Sequence, residues 1–124
     1  MIKRISTNKA PSAIGPYSQA LDTGNMLFIS GQIPVDPESG EMPGSVEEQA
    51  KQVLSNIKNI LAEAGLTTAN VVKTTVFLTD LGDFAAVNEI YASFFAEPYP
   101  ARSCVQVAAL PKGAKIEIET IAVK

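Results

Sequence analysis

Ser45 to Gly65 reads SVEEQAKQVLSNIKNILAEAG. Ser45 followed three residues later by Glu48 is a capping box, which satisfies amide donors that a helix start leaves open. Apolar residues then recur at Val46, Ala50, Val53, Leu54, Ile57, Ile60, Leu61 and Ala64. That is the 3.6-residue period of an amphipathic helix, held for about five turns. Gly65 supplies the stop. The helix has one apolar face, so something must cover it. Val71 to Leu78 (VVKTTVFL) follows; it is β-branched and aromatic, and reads as a strand.

Working outward, Asp83 is an N-cap candidate for a second helix over about Phe84 to Ala96, with Phe84, Val87, Ile90, Tyr91, Phe94 and Phe95 on its apolar face. Pro98 and Pro100 end it. Arg102 to Leu110 reads as a strand, Pro111-Lys112-Gly113 as a turn, and Lys115 to Val123 as a last strand. Upstream, Tyr17 to Leu21 and Met26 to Ser30 flank Asp22-Thr23-Gly24-Asn25, a hairpin signal. Residues 2–6 form a short strand, and PVDPESGEMPG over 34–44 is a loop.

The order is β-β-β-α-β-α-β-β over one domain, residues 1–124. Helices interrupt strands only in the middle. This predicts an α+β fold, a mixed six-stranded sheet with two helices on one face. In the last strand Ile116, Ile118, Thr120 and Ala122 alternate with Glu117, Glu119, Ile121 and Val123. Two helices cannot cover both faces, so the partly apolar second face is expected to pack on another copy of the chain.

Composition narrows the chemistry. The chain has 124 residues, 46% hydrophobic and 19% charged, with no His, one Cys and a formal charge of −3. Without His there is no Ser-His-Asp triad, no Cys-His pair and no His-ligated metal. One Cys excludes an internal disulfide and a Cys-cluster zinc site. A net negative chain is a poor electrostatic match for nucleic acid, so no nucleic-acid partner is expected. No run of about 18 apolar residues is present to span a membrane. The single thiol and the absence of an apolar leader at the start point to the cytoplasm.

There are two arginines against eight lysines. Arg4 reads as surface. Arg102 opens Ala101-Arg102-Ser103-Cys104-Val105-Gln106-Val107-Ala108-Ala109-Leu110, which has no other charge. Period-2 alternation puts Arg102, Cys104 and Gln106 on one face. A guanidinium there needs an anion, either a carboxylate of the protein or one of a ligand. Cys104 on the same face reads as a small hydrophobe; with no base beside it, its backbone matters more than its sulfur. Glu117 shares a strand face with Glu119. That face is solvated, or, if it is an interface, one carboxylate there is paired or has a raised pKa.

Several segments carry a resemblance: Gly15-Pro16-Tyr17-Ser18-Gln19, Ser30-Gly31-Gln32-Ile33-Pro34, Val72-Lys73-Thr74-Thr75-Val76-Phe77-Leu78, Pro100-Ala101-Arg102-Ser103-Cys104-Val105, Leu110-Pro111-Lys112 and Lys115-Ile116-Glu117-Ile118-Glu119. Together they resemble the RidA/YjgF family of enamine/imine deaminases over essentially the whole chain. The resemblance implies a chorismate-mutase-like fold and a homotrimer with ligand sites between subunits. It implies 2-iminobutanoate/2-iminopropanoate deaminase activity without a cofactor or metal, acting on small 2-imino acids to give 2-oxo acids. Carried over by motif, Arg102 binds the substrate carboxylate, Cys104 contributes through its main chain, and Glu117 positions water. Tyr17, Ser30 and Asn88 match the remaining pocket positions. The segment before Arg102 is shorter than in some members, which bears on the pocket rim. Two other readings compete: a trimeric small-carboxylate binding module or sensor, and a translation inhibitor or endoribonuclease.

A last expectation concerns assembly. If the final two strands run antiparallel across the short Pro111–Ala114 turn, Arg102 and Glu117 start at opposite ends of the sheet, about 17 Å apart. A small imino acid cannot bridge that distance, so the site is expected to combine Arg102 of one subunit with Glu117 of another.

Overall fold

The computed structural model describes residues 1–124. Its strands are β1 (Lys3–Ile5), β2 (Ala20–Asp22), β3 (Met26–Gln32), β4 (Val71–Leu78), β5 (Ala101–Gln106) and β6 (Ile116–Val123). The helices are α1 (Val46–Glu63) and α2 (Phe84–Phe94). The strands form one sheet in the order β1-β2-β3-β6-β4-β5. All neighbours are antiparallel except β4 and β5. That one parallel pair needs a crossover, and α2 is the crossover. The α+β expectation therefore holds, element for element. No helix is long and apolar enough to cross a membrane.

The core lies between the sheet and the two helices. Val53, Ile57, Ile60 and Leu61 of α1 are fully buried against Leu27 of β3, Val76 and Leu78 of β4, and Ile116 and Ile118 of β6. The alternation read in the last strand is the observed one: Ile116, Ile118, Thr120 and Ala122 are buried, and Glu117, Glu119, Ile121 and Val123 face the other way. That other face has no helix. It leaves Leu21, Phe28 and Val105 about 40% exposed.

Several boundaries differ, for local reasons. Only half of the capping box forms. Ser45 Oγ accepts from the Glu48 amide at 3.1 Å, but the Glu48 carboxylate pairs with Lys51 at 3.3 Å. Asp83 makes no side-chain cap; Asp80 caps the turn Leu81–Asp83, accepting from the Gly82 amide at 2.8 Å. α2 stops at Phe94 because Phe95 turns to extended backbone and plugs its ring into the core beside Tyr91. β5 ends at Gln106 rather than Leu110, since Gln106 Oε1 accepts from the Leu81 amide and the chain leaves the sheet after Val107. The first hairpin strand is only Ala20–Asp22; Tyr17 and Ser18 lie outside it.

The larger correction is topological. β5 and β6 do run in opposite directions, but they are not neighbours: β4 lies between them. Residues 107–115 carry the chain over the end of β4. The turn at Pro111 is thus part of a crossover and not of a hairpin.

Candidate active site

A bulge shapes one candidate region. Ile29 pairs with Thr120 and Gln32 with Ile118, so Ser30 and Gly31 together face a single residue of β6. Such a bulge bends the strand and redirects its side chains. Ser30 Oγ donates to the Ser18 carbonyl at 2.6 Å, and its amide donates to the Gln19 carbonyl at 2.9 Å. The segment bearing Tyr17 is thereby fastened beside the bulge. Gly31 leaves room for Glu117: a Cβ at this position would fall on Glu117 Oε2 and within 2.8 Å of its Cδ. Tyr17, Ser30, Gly31, Lys112 and Glu117 line one cavity of about 700 Å³.

Glu117 is half-buried there. Burial pushes its carboxyl above the ordinary glutamate range, and the neighbouring Glu119 adds to the upward shift. A base of raised pKa removes a proton from water more readily once it is ionised.

The second region lies on the opposite face, at the sheet edge. Arg102 pairs in register with Thr74 of β4, so its side chain shares the helix face with Thr74 and Val76. Its Nη1 donates to Asn88 Oδ1 of α2 at 2.7 Å. The guanidinium carbon lies 4.8 Å from the Tyr91 ring centroid and 5.4 Å from that of Phe84. No carboxylate of the chain reaches it; the ion pairs are Lys51–Glu48 and Lys124–Asp22. The protein-carboxylate alternative for Arg102 is therefore wrong within the chain. Cys104 sits beside it, partly packed on the core, and burial pushes its thiol pKa up while Arg102 opposes the shift. A protonated thiol is a poor nucleophile. β5 is an edge strand, so half of its backbone groups have no ladder partner in the chain.

The six residues picked from the sequence thus fall into two groups, Tyr17, Ser30 and Glu117 on one face and Asn88, Arg102 and Cys104 on the other. Three buried amides escaped the sequence reading. Gln19 accepts from the Thr7 amide at 2.8 Å and donates to the Pro11 carbonyl at 2.7 Å. Asn56 donates to the Ile33 and Val35 carbonyls at 3.2 and 3.1 Å, and Gln49 accepts from the Lys115 amide at 2.9 Å. All three hold the loops around the Glu117 cavity. A polar residue on an apolar helix face, as at Asn56, is the signal that marks such a role.

The sheet thus seats a carboxylate at its bulge on one face and an arginine at its edge on the other, groups of the kind that hold small ligands. The family model for Endoribonuclease L-PSP matches residues 7–124. A RutC family protein of Pasteurella multocida is 60% identical, the alignment covering 100% of this chain and 99% of that protein. The 2-iminobutanoate/2-iminopropanoate deaminase of Escherichia coli strain K12 is 58% identical, with 100% and 99% covered. The crystal structure of E. coli TdcF with bound serine superposes with a TM-score of 0.95 at 56% identity, covering 98% of each chain. The chain belongs to this family, the RidA/YjgF family that its motifs resemble.

Proposed function

We propose that this chain is a 2-iminobutanoate/2-iminopropanoate deaminase that acts in the cytoplasm as a homotrimer, with its sites between subunits. The observation that carries the reading is Arg102: a half-buried guanidinium steadied by an amide and two rings, with no carboxylate of its own chain. Such a group suits a small ligand carboxylate held by two parallel hydrogen bonds. The name of the E. coli deaminase and the serine held by TdcF, which carries an α-carboxylate, support it. The exposed Leu21, Phe28 and Val105 on the helix-free face favour packing of copies there.

The chemistry follows from the residues. Arg102 anchors the carboxylate of a 2-imino acid. Its protonated imine carbon is electrophilic without further activation. Glu117 accepts a proton from a water molecule as that water's oxygen bonds to this carbon. Glu117 returns that proton to the nitrogen of the resulting carbinolamine; the C–N bond then breaks as the hydroxyl proton passes back to the Glu117 carboxylate, and ammonia and a 2-oxo acid leave. Orientation and one general base supply the acceleration. The net charge of −3 gives no support to an RNA-directed role.

The test couples a threonine dehydratase to a readout of imine lifetime. The wild-type chain shortens that lifetime. Arg102→Ala lowers kcat/KM by at least ~30-fold, as expected for loss of a bidentate charge-assisted anchor, with the circular dichroism spectrum unchanged. A wild-type chain that binds 2-oxobutanoate yet leaves imine lifetime unaltered establishes the binding-module reading instead.

A further inference from the structure

Phe84, Asn88 and Tyr91 stand at i, i+4 and i+7 of α2, so they share one helix face, and that face looks onto Arg102. Tyr91 is buried. Its hydroxyl shares a 2.7 Å hydrogen bond with Thr74 Oγ1 of β4, and its ring packs 4.7 Å from Phe95. Thr74 is also the residue in register with Arg102. The Tyr91 ring is therefore pinned to the same stretch of sheet that carries the arginine. Phe84 is 38% exposed and closes the solvent side. Both rings lie within the ~6 Å over which an aromatic face attracts a guanidinium. Asn88 accepts from one of the five guanidinium N–H donors, and no other side-chain hydrogen bond of Arg102 forms within the chain.

We propose that Tyr91 and Phe84 are positioning residues that clamp the Arg102 guanidinium in the plane from which it meets a ligand carboxylate, with Thr74 locking the Tyr91 ring. This rests on the proposed carboxylate-binding role of Arg102. An arginine loses much rotamer freedom when it binds, and a side chain already held loses less. Phe84, whose ring is partly in water, can be changed without opening the core.

The chain's arginine content makes the clamp directly observable. It has two arginines, Arg102 and the exposed Arg4, so an ¹⁵N spectrum of arginine Nε–H groups contains two signals, one of them an internal reference. In the wild type the Arg102 signal relaxes as an ordered group and that of Arg4 as a mobile one. Phe84→Leu lowers the order of Arg102, weakens 2-oxobutanoate binding and raises KM by about two- to fivefold, the size of a partly exposed cation–π contact, with kcat nearly unchanged. Phe84→Trp restores both order and affinity. Tyr91→Phe keeps the ring face but loses the Thr74 bond, and lowers Arg102 order by a smaller amount. Arg102 order unchanged in Phe84→Leu, or lowered order with 2-oxobutanoate affinity unchanged, overturns the clamp. Failure of the deaminase reading shows separately, as a wild-type chain without effect on imine lifetime, and leaves both of these readouts intact.

Discussion

Arg102 and Glu117 stand on opposite faces of one sheet, three residues out of register across the intervening β4: Arg102 pairs with Thr74, and Glu117 pairs with Phe77. Three residues along a strand are about 10 Å, and two strand spacings add a comparable distance sideways. The face matters more than either distance, because the hydrophobic core fills the space on the Arg102 side of β4. The expected end-to-end offset of about 17 Å along a hairpin is replaced by a stricter separation. A single small ligand cannot touch both side chains of one chain.

Mixed assemblies test the consequence. Arg102→Ala and Glu117→Ala chains are each expected to be inactive and folded. Co-expressed, they regain part of the wild-type imine hydrolysis, because some clefts receive Arg102 from one chain and Glu117 from the other. Mixed oligomers that form but stay inactive contradict a site shared between subunits. Sedimentation of the wild type at micromolar concentration is expected to show a trimer; a stable 13.1 kDa monomer contradicts it.

Gly31→Ala places a methyl where the Glu117 carboxylate now lies. The carboxylate must swing away, and kcat falls by ~10²-fold or more, the scale of a lost general base. The melting temperature changes little, since the glutamate can move toward solvent. Unchanged kcat in this variant removes Glu117 from the role of base.

If Glu117 is the base, the pH profile of kcat/KM is expected to have an acid limb set by it. Burial first, and then Glu119, raise its pKa, so activity is lost as pH falls through a midpoint above 4.5, the ordinary value. Glu119→Gln removes one of the two causes and moves the limb to lower pH. The same shift bears on stability. A carboxyl whose folded pKa is raised favours the fold below its unfolded pKa, and that contribution is lost as pH rises through the folded one. Glu117→Gln is therefore expected to melt higher than wild type at neutral pH while losing activity. Equal melting temperatures at neutral pH contradict the burial account.

Asn56 is fully buried and bonds two loop carbonyls. Asn56→Leu leaves both carbonyls without their donor, which costs about 2–3 kcal/mol for buried unsatisfied groups. Urea unfolding measures the loss. Activity falls with it, because Ile33 and Val35 line the Glu117 cavity.

Cys104→Ala tests the main-chain role expected of that position. With its thiol pushed toward the protonated form, the sulfur contributes little, and kcat/KM stays within about fivefold, the worth of one ordinary hydrogen bond. A loss of several hundredfold assigns chemistry to the sulfur.

Local patterns carried a large part of this molecule. The 3.6-residue period from Val46 to Ala64 specifies α1, because an apolar stripe of that spacing can be buried only by a helix. Alternation in β6 and β5 separated Ile116 from Glu117 and grouped Arg102 with Cys104, because successive strand side chains point to opposite faces. The lone charge in β5 drew attention to Arg102 for the same reason. Strand order was beyond reach of such patterns. Whether residues 107–115 close a hairpin or cross over β4 depends on which edge of β4 is open, and α2 decides that by delivering β5 to it in parallel. The partner of Arg102 was likewise hidden, since Asn88, Tyr91 and Thr74 become its surroundings only when α2 packs on the sheet. So was the need for glycine at residue 31, a matter of the space that a side chain from a distant strand occupies. Period and alternation decide which way each side chain faces; only the packed sheet decides what it meets.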